Sequence, residues 1–293
     1  MRSDKSRRRF VFLCVAPATI LFFLFMILPT LNVFRMSLYE RGAYSPNETF
    51  VGLKNFQHLL KDAQFIRSMQ NMILLVVVVT IVTFAFALVF AAILTREKIK
   101  GQNFFRVIFY IPNILSVVVI SGIFSAIYKP ENGMLNSIIG LFRDMTDPIL
   151  WKGEKLVIPS IILAMVWQAV GYYMVMYMAS MSSVPASLYE AADIDRATGM
   201  QKFFYITLPM VSPTTFYLVI VRMIAVFKIF SSVNIMTMGS PSYANTSMVV
   251  EIYGNAFGSY KFGYAAAQSM VLFVLILVIT LLNFWGQKKW VHY

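Results

Sequence analysis

The sequence predicts an all-α integral membrane protein, a single domain that crosses the bilayer six times. Hydrophobic residues make up 59% of its 293 residues and charged residues only 13%, whereas soluble globular proteins carry about 45–50% and about 25%. Several apolar stretches are also long enough to cross a hydrocarbon core about 30 Å thick, which takes roughly 20 helical residues. A chain with so little polar surface is expected to fold in lipid.

Each expected span is a continuous apolar stretch. The six stretches are 10–34, 69–95, 107–128, 157–182, 211–236 and 264–286. The first follows three consecutive arginines, as a secretory signal would, but its apolar run exceeds the roughly 7–15 residues of a signal peptide. No clear small-residue cleavage site follows it, so we expect a helix that is retained in the membrane.

The basic residues indicate how the six helices are oriented. One side holds 13 Lys and Arg in 55 residues, and the other holds 10 in 89. The denser side consists of the segments 1–9, 96–106, 183–210 and 287–293. The other side consists of the segments 35–68, 129–156 and 237–263. Because cytoplasmic loops are enriched in basic residues, both termini are expected in the cytoplasm. This distribution explains much of the net charge of +12, so nucleic acid is not expected as a partner.

The segment 183–210 is the longest on the expected cytoplasmic side, and its first half has the pattern of a short helix. This helix begins either with Pro185 in its first turn or slightly later, with Ser187 and Glu190 as a capping box. Small apolar residues recur near helical spacing between the acidic ones. The first half of the segment therefore predicts a helix with an acidic, small-residue surface.

The second half of the same segment predicts another short helix. Gly199 is expected to end the first helix in the left-handed conformation, which glycine adopts at little cost. The second helix then covers 200–208 and stops at Pro209, which leads into the fifth span. A membrane protein has little reason to keep such an ordered loop unless another protein docks on it.

The inventory of reactive residues argues against an enzyme. The chain has one cysteine and two histidines, and the histidines, His58 and His292, fall on opposite sides of the expected membrane. No metal site can be built from that set, and no phosphate-binding G-x-x-x-x-G-K-[ST] motif is present. The spans also contain no Asp or Glu. We therefore expect no catalytic residues, no metal and no cofactor in this chain.

Polar residues inside the fourth and fifth spans mark a second place of interest. Arg222 lies near the middle of the fifth span, and Lys228 follows nearly two turns later. A cation in the membrane costs several kcal/mol, so Arg222 is expected to face a translocation path or a subunit interface. The alternative is snorkelling to the membrane surface, which suits Lys228 better than Arg222. Gln168 and Tyr172 in the fourth span are weaker candidates for the same path, since single polar residues usually serve helix packing.

The 183–210 segment resembles the EAA loop of the permease subunits of bacterial binding-protein-dependent ABC importers. The family pattern is E-A-A, a glycine at the seventh position, and then I-x-L-P. This chain matches the pattern at Glu190, Ala191, Ala192, Ile206, Leu208 and Pro209. The glycine position holds Arg196, between the matching Asp195 and Ala197, and the nearest glycine is Gly199. We therefore expect the turn to be shifted by three residues.

Other stretches are similar to the sugar-type branch of the same family. They are FVGLKNF at 50–56, FFR at 104–106, IP at 111–112 and MTMGSP at 236–241. Amino-acid and metal importers have related loops, so the branch rests on these additional stretches. The resemblance covers nearly the whole chain.

The resemblance implies a MetI-like fold and a set of partners. Two permease subunits, the second a paralogue of this chain, would form the channel, and two ATPase subunits would bind ATP and Mg²⁺ below it. Each EAA loop would act as a coupling helix in a cleft of one ATPase, and a solute-binding protein would deliver the cargo from outside. The family also places the substrate path along the spans around the loop.

Two other classes remain as alternatives. A membrane-embedded enzyme would require catalytic clusters that the sequence lacks. A stand-alone carrier or channel would more often show an internal repeat or membrane carboxylates. The cargo itself cannot be read from the sequence.

Overall fold

The computed structural model describes residues 3–42, 48–95, 101–142, 147–237 and 246–290, without the side chains of 3–6, 8, 289 and 290. The chain divides into two compact units. The first consists of Met1–Asp62 and Ile252–Val274, and the second of Ala63–Glu251 and Leu275–Tyr293.

The first unit begins with one long helical run. Helix α1 (Ser3–Phe22) continues through a π-helical turn (Phe23–Ile27) into α2 (Leu28–Ser37). The backbone N–H of Leu28 donates to Phe23 O, five residues back, immediately before Pro29. A proline ring clashes with the carbonyl four residues earlier in an α-helix, and the wider π turn fits that position.

A small β pair and four helical segments lie wholly or partly in the first unit. Strand β1 (Tyr39–Glu40) pairs antiparallel with β2 (Thr49–Phe50), the only departure from an all-α fold among the described residues. Helix α3 covers Lys54–Leu59, α14 covers Met248–Tyr253, a π-helical turn covers Gly254–Gly258, and α15 covers Phe262–Trp290. Residues 248–251 of α14 and 275–290 of α15 belong to the second unit. Gly263 lies so close to β1 that a Cβ atom there would be 1.9 Å from Tyr39 O.

Two long helices form the core of the second unit. Helix α4 (Ala63–Leu94) packs along α8 (Val157–Ser182), and α8 has the bounds that hydropathy predicts. Small residues at the contact allow the two backbones to approach closely. The buried cluster comprises Phe84, Ala87, Ala91, Leu94, Ala169, Tyr173, Met174, Tyr177, Met178, Met181, Val211 and Leu218.

The predicted third span is divided in two. Helices α5 (Gln102–Ile114) and α6 (Val117–Ile127) meet at an angle of 97°, and a short helix α7 (Met134–Gly140) follows them. Pro112 removes one backbone hydrogen bond near the end of α5, and Ser116 then caps α6 by accepting from Val119 N at 3.3 Å. The continuous apolar stretch 107–128 is therefore not one straight helix, because apolar composition does not report where the backbone turns.

The predicted fifth span is also interrupted. Helix α12 (Ser212–Phe227) ends before Lys228, and a short α13 (Ser231–Met236) follows. The residues between them, 228–230, are not helical. Lys228 therefore lies just after the helix, whereas the sequence had indicated a position within the fifth span.

Membrane-crossing candidates can be counted within the described residues. Four helical runs are long and apolar enough to cross: Arg9–Ser37, Ala63–Leu94, Val157–Ser182 and Phe262–Lys288. Two bent pairs also qualify when each pair is taken together: Gln102–Ile114 with Val117–Ile127, and Gly199–Met210 with Ser212–Phe227. The described part of the chain thus contains up to six candidate spans.

Candidate functional site: an exposed helical loop and a cationic cavity

The 183–210 segment folds as two short helical pieces. Helix α9 covers Ala186–Ile194, with Pro185 at its N-cap. No side chain caps this helix, so the expected capping box of Ser187 and Glu190 is wrong. Ser187 instead occupies the second helical position, because proline already fixes the backbone angle of the residue before the helix.

The turn that ends α9 is formed by Arg196. This residue has φ +55°, and the N–H groups of Arg196 and Ala197 donate to Asp193 O at 3.0 Å and Ala192 O at 2.9 Å. This pair of bonds is a Schellman motif, in which the left-handed position is usually glycine. The expected shift of the turn to Gly199 is wrong, and the arginine itself adopts the conformation for which the family uses glycine.

Gly199 starts the next helix. Helix α10 (Gly199–Lys202) is capped by Thr198, whose side chain and that of Gln201 form a capping box. A π-helical turn (Phe203–Thr207) and α11 (Leu208–Met210) continue it. The expected end of the second helix at Pro209 is therefore early, because the π turn accommodates the proline ring in the same way as in the first unit.

Side-chain bonds join the two pieces of the loop. The hydroxyl groups of Tyr189 and Thr207 lie 2.8 Å apart, and Lys202 forms an ion pair with Asp193. Tyr189 and Asp193 belong to α9, whereas Lys202 and Thr207 belong to the following helical run. The loop is thus held as one hairpin-like unit.

The surface of this loop is both acidic and apolar. Glu190, Ala191, Asp195 and Gly199 are exposed, and Ala192 is half-buried. Large apolar side chains are exposed beside them, with Ile194 83% and Tyr205 80% accessible. Exposed apolar area rimmed by charge marks an interaction surface. Ile206, Leu208 and Pro209 are partly buried and belong to the supporting second helix.

A polar cavity of about 280 Å³ lies in the second unit, beside the interruption of the fifth stretch. We refer to it as the Arg222 cavity. Its walls come from α6, α8, α12, the 228–230 break and the start of α13. The lining residues that carry polar groups are Gln168, Arg222, Lys228, Ser231 and Ser232.

Arg222 reaches from α12 to α8. Its Nη2 donates to Met165 O at 3.2 Å, and its guanidinium carbon lies 5.7 Å from the centre of the Tyr173 ring, a distance at which a cation and a ring attract. Its Nε is buried and has no hydrogen-bond acceptor among the described residues. The side chain therefore points into protein, which argues against snorkelling.

The structure brings together three of the four predicted path residues. Gln168 lines the Arg222 cavity, and its Nε2 lies 3.5 Å from Leu115 O at the α5–α6 bend. Lys228 lines it from the break after α12. Tyr172 does not line the cavity. Its ring packs against the ring of Tyr173, with the ring centres 5.1 Å apart.

Sequence reasoning missed two hydroxyl groups of the Arg222 cavity. Ser231 and Ser232 line it, but serines are common in membrane helices and carry no signal alone. The signal available in the sequence was their position shortly after Arg222 and Lys228. Among the described residues, no group of three or more His, Cys, Asp or Glu side chains is placed to hold a metal ion.

Comparisons with known proteins show what this chain is similar to. A family model described as "Binding-protein-dependent transport system inner membrane component" matches residues 87–290. The chain is 30% identical over 283 residues to the sn-glycerol-3-phosphate transport system permease protein UgpA of Agrobacterium fabrum, covering 96% of each chain. It is 31% identical over 275 residues to the diacetylchitobiose uptake system permease protein NgcF of Streptomyces coelicolor, covering 90% of this chain and 78% of the relative.

A solved structure shares the fold. One chain of a bacterial alginate ABC transporter, crystallised with an alginate pentasaccharide-bound periplasmic protein, aligns with a TM-score of 0.85 at 23% identity. The alignment covers 98% of this chain and 96% of that chain.

Proposed function

Because this chain belongs to the family of inner membrane components of binding-protein-dependent transport systems, we propose that it helps to form the membrane path of an ATP-driven sugar importer. The MetI-like permease fold and the resemblance inferred from the EAA loop are confirmed by the family match and the shared fold. The chain is a multi-pass membrane transport subunit and not an enzyme. The proposal adds its partners, its cargo and its orientation.

The observation that carries the proposal is the exposed loop at 183–210. It keeps an ordered hairpin, joined by the Tyr189–Thr207 and Lys202–Asp193 contacts, while presenting acidic and apolar groups outward. We propose that α9 is the coupling helix, seated in a cleft of one ATPase subunit. Small residues such as Ala191 allow close approach, and Glu190 can pair with a basic group of the cleft.

The assembly that this role requires has further members. A second permease subunit completes the channel, two ATPase subunits bind ATP and Mg²⁺, and an extracytoplasmic binding protein delivers the cargo. This chain binds none of these cofactors itself. The basic residues support an orientation in which both termini and α9 lie in the cytoplasm, in a bacterial inner membrane.

The proposed cargo is a sugar or oligosaccharide. Two relatives that match nearly the whole chain are named for uptake of diacetylchitobiose and for transport of sn-glycerol 3-phosphate. The Arg222 cavity supplies donors that suit hydroxylated molecules: a guanidinium, an amide and two serine hydroxyls. We propose that this cavity lies on the translocation path, between α8 and α12.

Reconstitution tests the function directly. The chain is purified with its partner permease and ATPase subunits, placed in liposomes, and given the binding protein with labelled mono- and oligosaccharides and labelled glycerol 3-phosphate. Uptake is expected only when ATP is present on the ATPase side and the binding protein on the other. A matched preparation with a hydrolysis-deficient ATPase is the control.

Uptake that is driven by an ion gradient, without ATP or binding protein, would instead establish a secondary carrier. Turnover of a substrate by the purified chain alone would establish a membrane enzyme. Either result would overturn the proposed function.

A further inference from the structure

We propose that the Arg222 cavity is a subsite for an anionic group, a phosphate or a carboxylate, on the transported molecule. The proposal rests on the import function proposed above and narrows its cargo from sugars in general to sugars or polyols that carry a negative charge. Charge, hydrogen-bond donors and size each support it.

The Arg222 cavity carries positive charge that nothing in its wall balances. Arg222 and Lys228 both line it, and no lining residue is acidic. Within the described ranges, neither side chain forms an ion pair. A cation held at membrane depth is costly unless a polar cavity or a counter-charge accompanies it. Two cations at one cavity, with no acidic side chain in its wall, therefore point to an anion that occupies it during transport.

The backbone around the cavity adds to the same field. Helix α6 begins at Val117, which lies in the cavity wall. The first turn of a helix carries partial positive charge, although the Val119 N–H of this turn already bonds to Ser116. Lys228 follows the last residue of α12 and offsets the partial negative charge at that helix end. The remaining excess is positive and includes the guanidinium of Arg222.

The guanidinium of Arg222 lines the cavity without an acidic partner among the described residues. A guanidinium has five N–H donors. In Arg222 the Nη2 donates to the neutral carbonyl of Met165, a further hydrogen bond joins the side chain to Tyr173, and the buried Nε has no acceptor among the described residues. A buried donor without a partner is costly, and phosphate and carboxylate oxygens are the acceptors that a guanidinium pairs with best. Ser231 and Ser232 offer hydroxyls for the uncharged part of the same molecule.

The size of the cavity limits what enters. Its volume of about 280 Å³ is near the lower end of the roughly 300–1,000 Å³ of small-molecule sites. A cavity of this size accommodates one charged sugar unit or a polyol phosphate. A longer cargo would pass its charged units through the Arg222 cavity one at a time.

A cysteine at Ala225 tests the charge of the cavity, because this small residue lines it and is exposed. The complete importer, with Cys14→Ser and Ala225→Cys, is treated with a sulfonate-bearing and a trimethylammonium-bearing methanethiosulfonate. The ratio of the labelling rate with the sulfonate reagent to the rate with the ammonium reagent is expected to be higher at this cysteine than at an exposed control cysteine, Glu131→Cys. Adding Arg222→Gln should lower this preference by about tenfold, and the matched exposed change Arg67→Gln should leave it unaltered.

Protection then separates the two kinds of anion. At equal ionic strength, glycerol 3-phosphate should slow labelling of the cysteine while glycerol does not, if the group is a phosphate. Galacturonate should do so while galactose does not, if the group is a carboxylate. Protection by neither anion, or equal protection by the neutral compounds, overturns the proposal. Ser231→Cys serves as the second reporter if Ala225→Cys fails to assemble.

The main competing occupant is an acidic side chain of the second permease subunit. In that case, the thiol introduced by Ala225→Cys would react slowly with both reagents in the complete importer and rapidly in the chain purified alone, and the proposal would be overturned. The uptake assay on the same preparation keeps the two proposals apart. ATP-driven uptake without anion preference removes only the subsite, whereas anion preference without ATP-driven uptake removes only the import function.

Discussion

Arg196 shows how a single residue sets the geometry of the 183–210 loop. It holds the left-handed conformation (φ +55°) that closes the Schellman motif after α9. For a residue with a Cβ atom this conformation costs about 1–2 kcal/mol, and glycine avoids that cost. The arginine is tolerated because its side chain is exposed and the two backbone bonds of the motif hold the turn.

Replacing Arg196 with glycine is expected to stabilise the end of α9. Removing the Cβ atom relieves the steric cost of the left-handed conformation and so stabilises the folded state. This gain in stability is partly offset by the greater conformational entropy of glycine in the unfolded chain, roughly 0.5–1 kcal/mol. In the Arg196→Gly variant, amide hydrogen exchange at the substituted position and at Ala197 should slow by about two- to fivefold, as measured by mass spectrometry on the purified complex.

The matched control is Gly199→Ala, at the first position of α10, where an added Cβ meets nothing within 4 Å. It should leave exchange at the α9 turn unchanged. Faster exchange in Gly199→Ala, with no gain from Arg196→Gly, would contradict this placement of the turn.

At the scale of elements, backbone contact fixes where α5 meets α8. Gly171 on α8 lies against α5 so closely that a Cβ atom would be 1.7 Å from Phe109 O. The two helices must be this near for the α5–α6 bend to reach Gln168, whose amide lies 3.5 Å from Leu115 O. Close helix approach therefore positions one wall of the Arg222 cavity.

Gly171→Ala is expected to lower the free energy of unfolding by about 1–3 kcal/mol, the usual cost of forced overpacking. The thermal unfolding midpoint in detergent should fall, along with the yield of monodisperse protein. Gly122→Ala on α6 is the matched control, because nothing lies within 4 Å of its added Cβ. Equal midpoints for the two variants would contradict the close contact.

The exposed face of α9 makes a prediction about coupling. Ala192 is half-buried on a helix with no buried residue, so tryptophan fits the isolated chain but blocks close docking of a partner. Ala192→Trp should reduce the ATPase that co-purifies by about tenfold or more, equivalent to about 1.4 kcal/mol, and should abolish ATP-driven uptake.

The same exchange at Ala63→Trp, an exposed residue at the start of α4, should leave ATPase binding intact. An unchanged unfolding midpoint for Ala192→Trp would show that the loop itself remains folded. Normal uptake by Ala192→Trp would remove α9 as the coupling helix.

At the scale of the whole molecule, the distribution of basic residues makes a prediction of topology. With Cys14→Ser, a membrane-impermeant thiol reagent should label Glu131→Cys in intact cells, because 129–156 is expected outside. It should label Ser187→Cys only after the membrane is made permeable. Both positions are exposed in the structure, so labelling of Ser187→Cys in intact cells would reverse the orientation.

The membrane class, the long helices and the EAA-like motif follow from the sequence by itself. Apolar length alone predicts the spans, because lipid demands about 20 continuous apolar residues, and α8 runs over the predicted 157–182. Glu190, Ala191 and Ala192 identify the loop because its pattern is local in the chain. The expectations of a single domain and of cytoplasmic termini remain predictions. The similar stretch MTMGSP lies partly outside the described residues, since 238–245 are not described.

Only the tertiary structure decides where spans break and what the polar residues meet. The backbone turns by 97° between α5 and α6, and α12 ends at Phe227. Average hydropathy does not detect either change because the residues on both sides remain apolar. Arg222 has its acceptor 57 positions away, at Met165, and Gln168 has its neighbour 53 positions away, at Leu115. Contacts this distant in the chain depend on how the helices pack, so no local pattern of residues determines them.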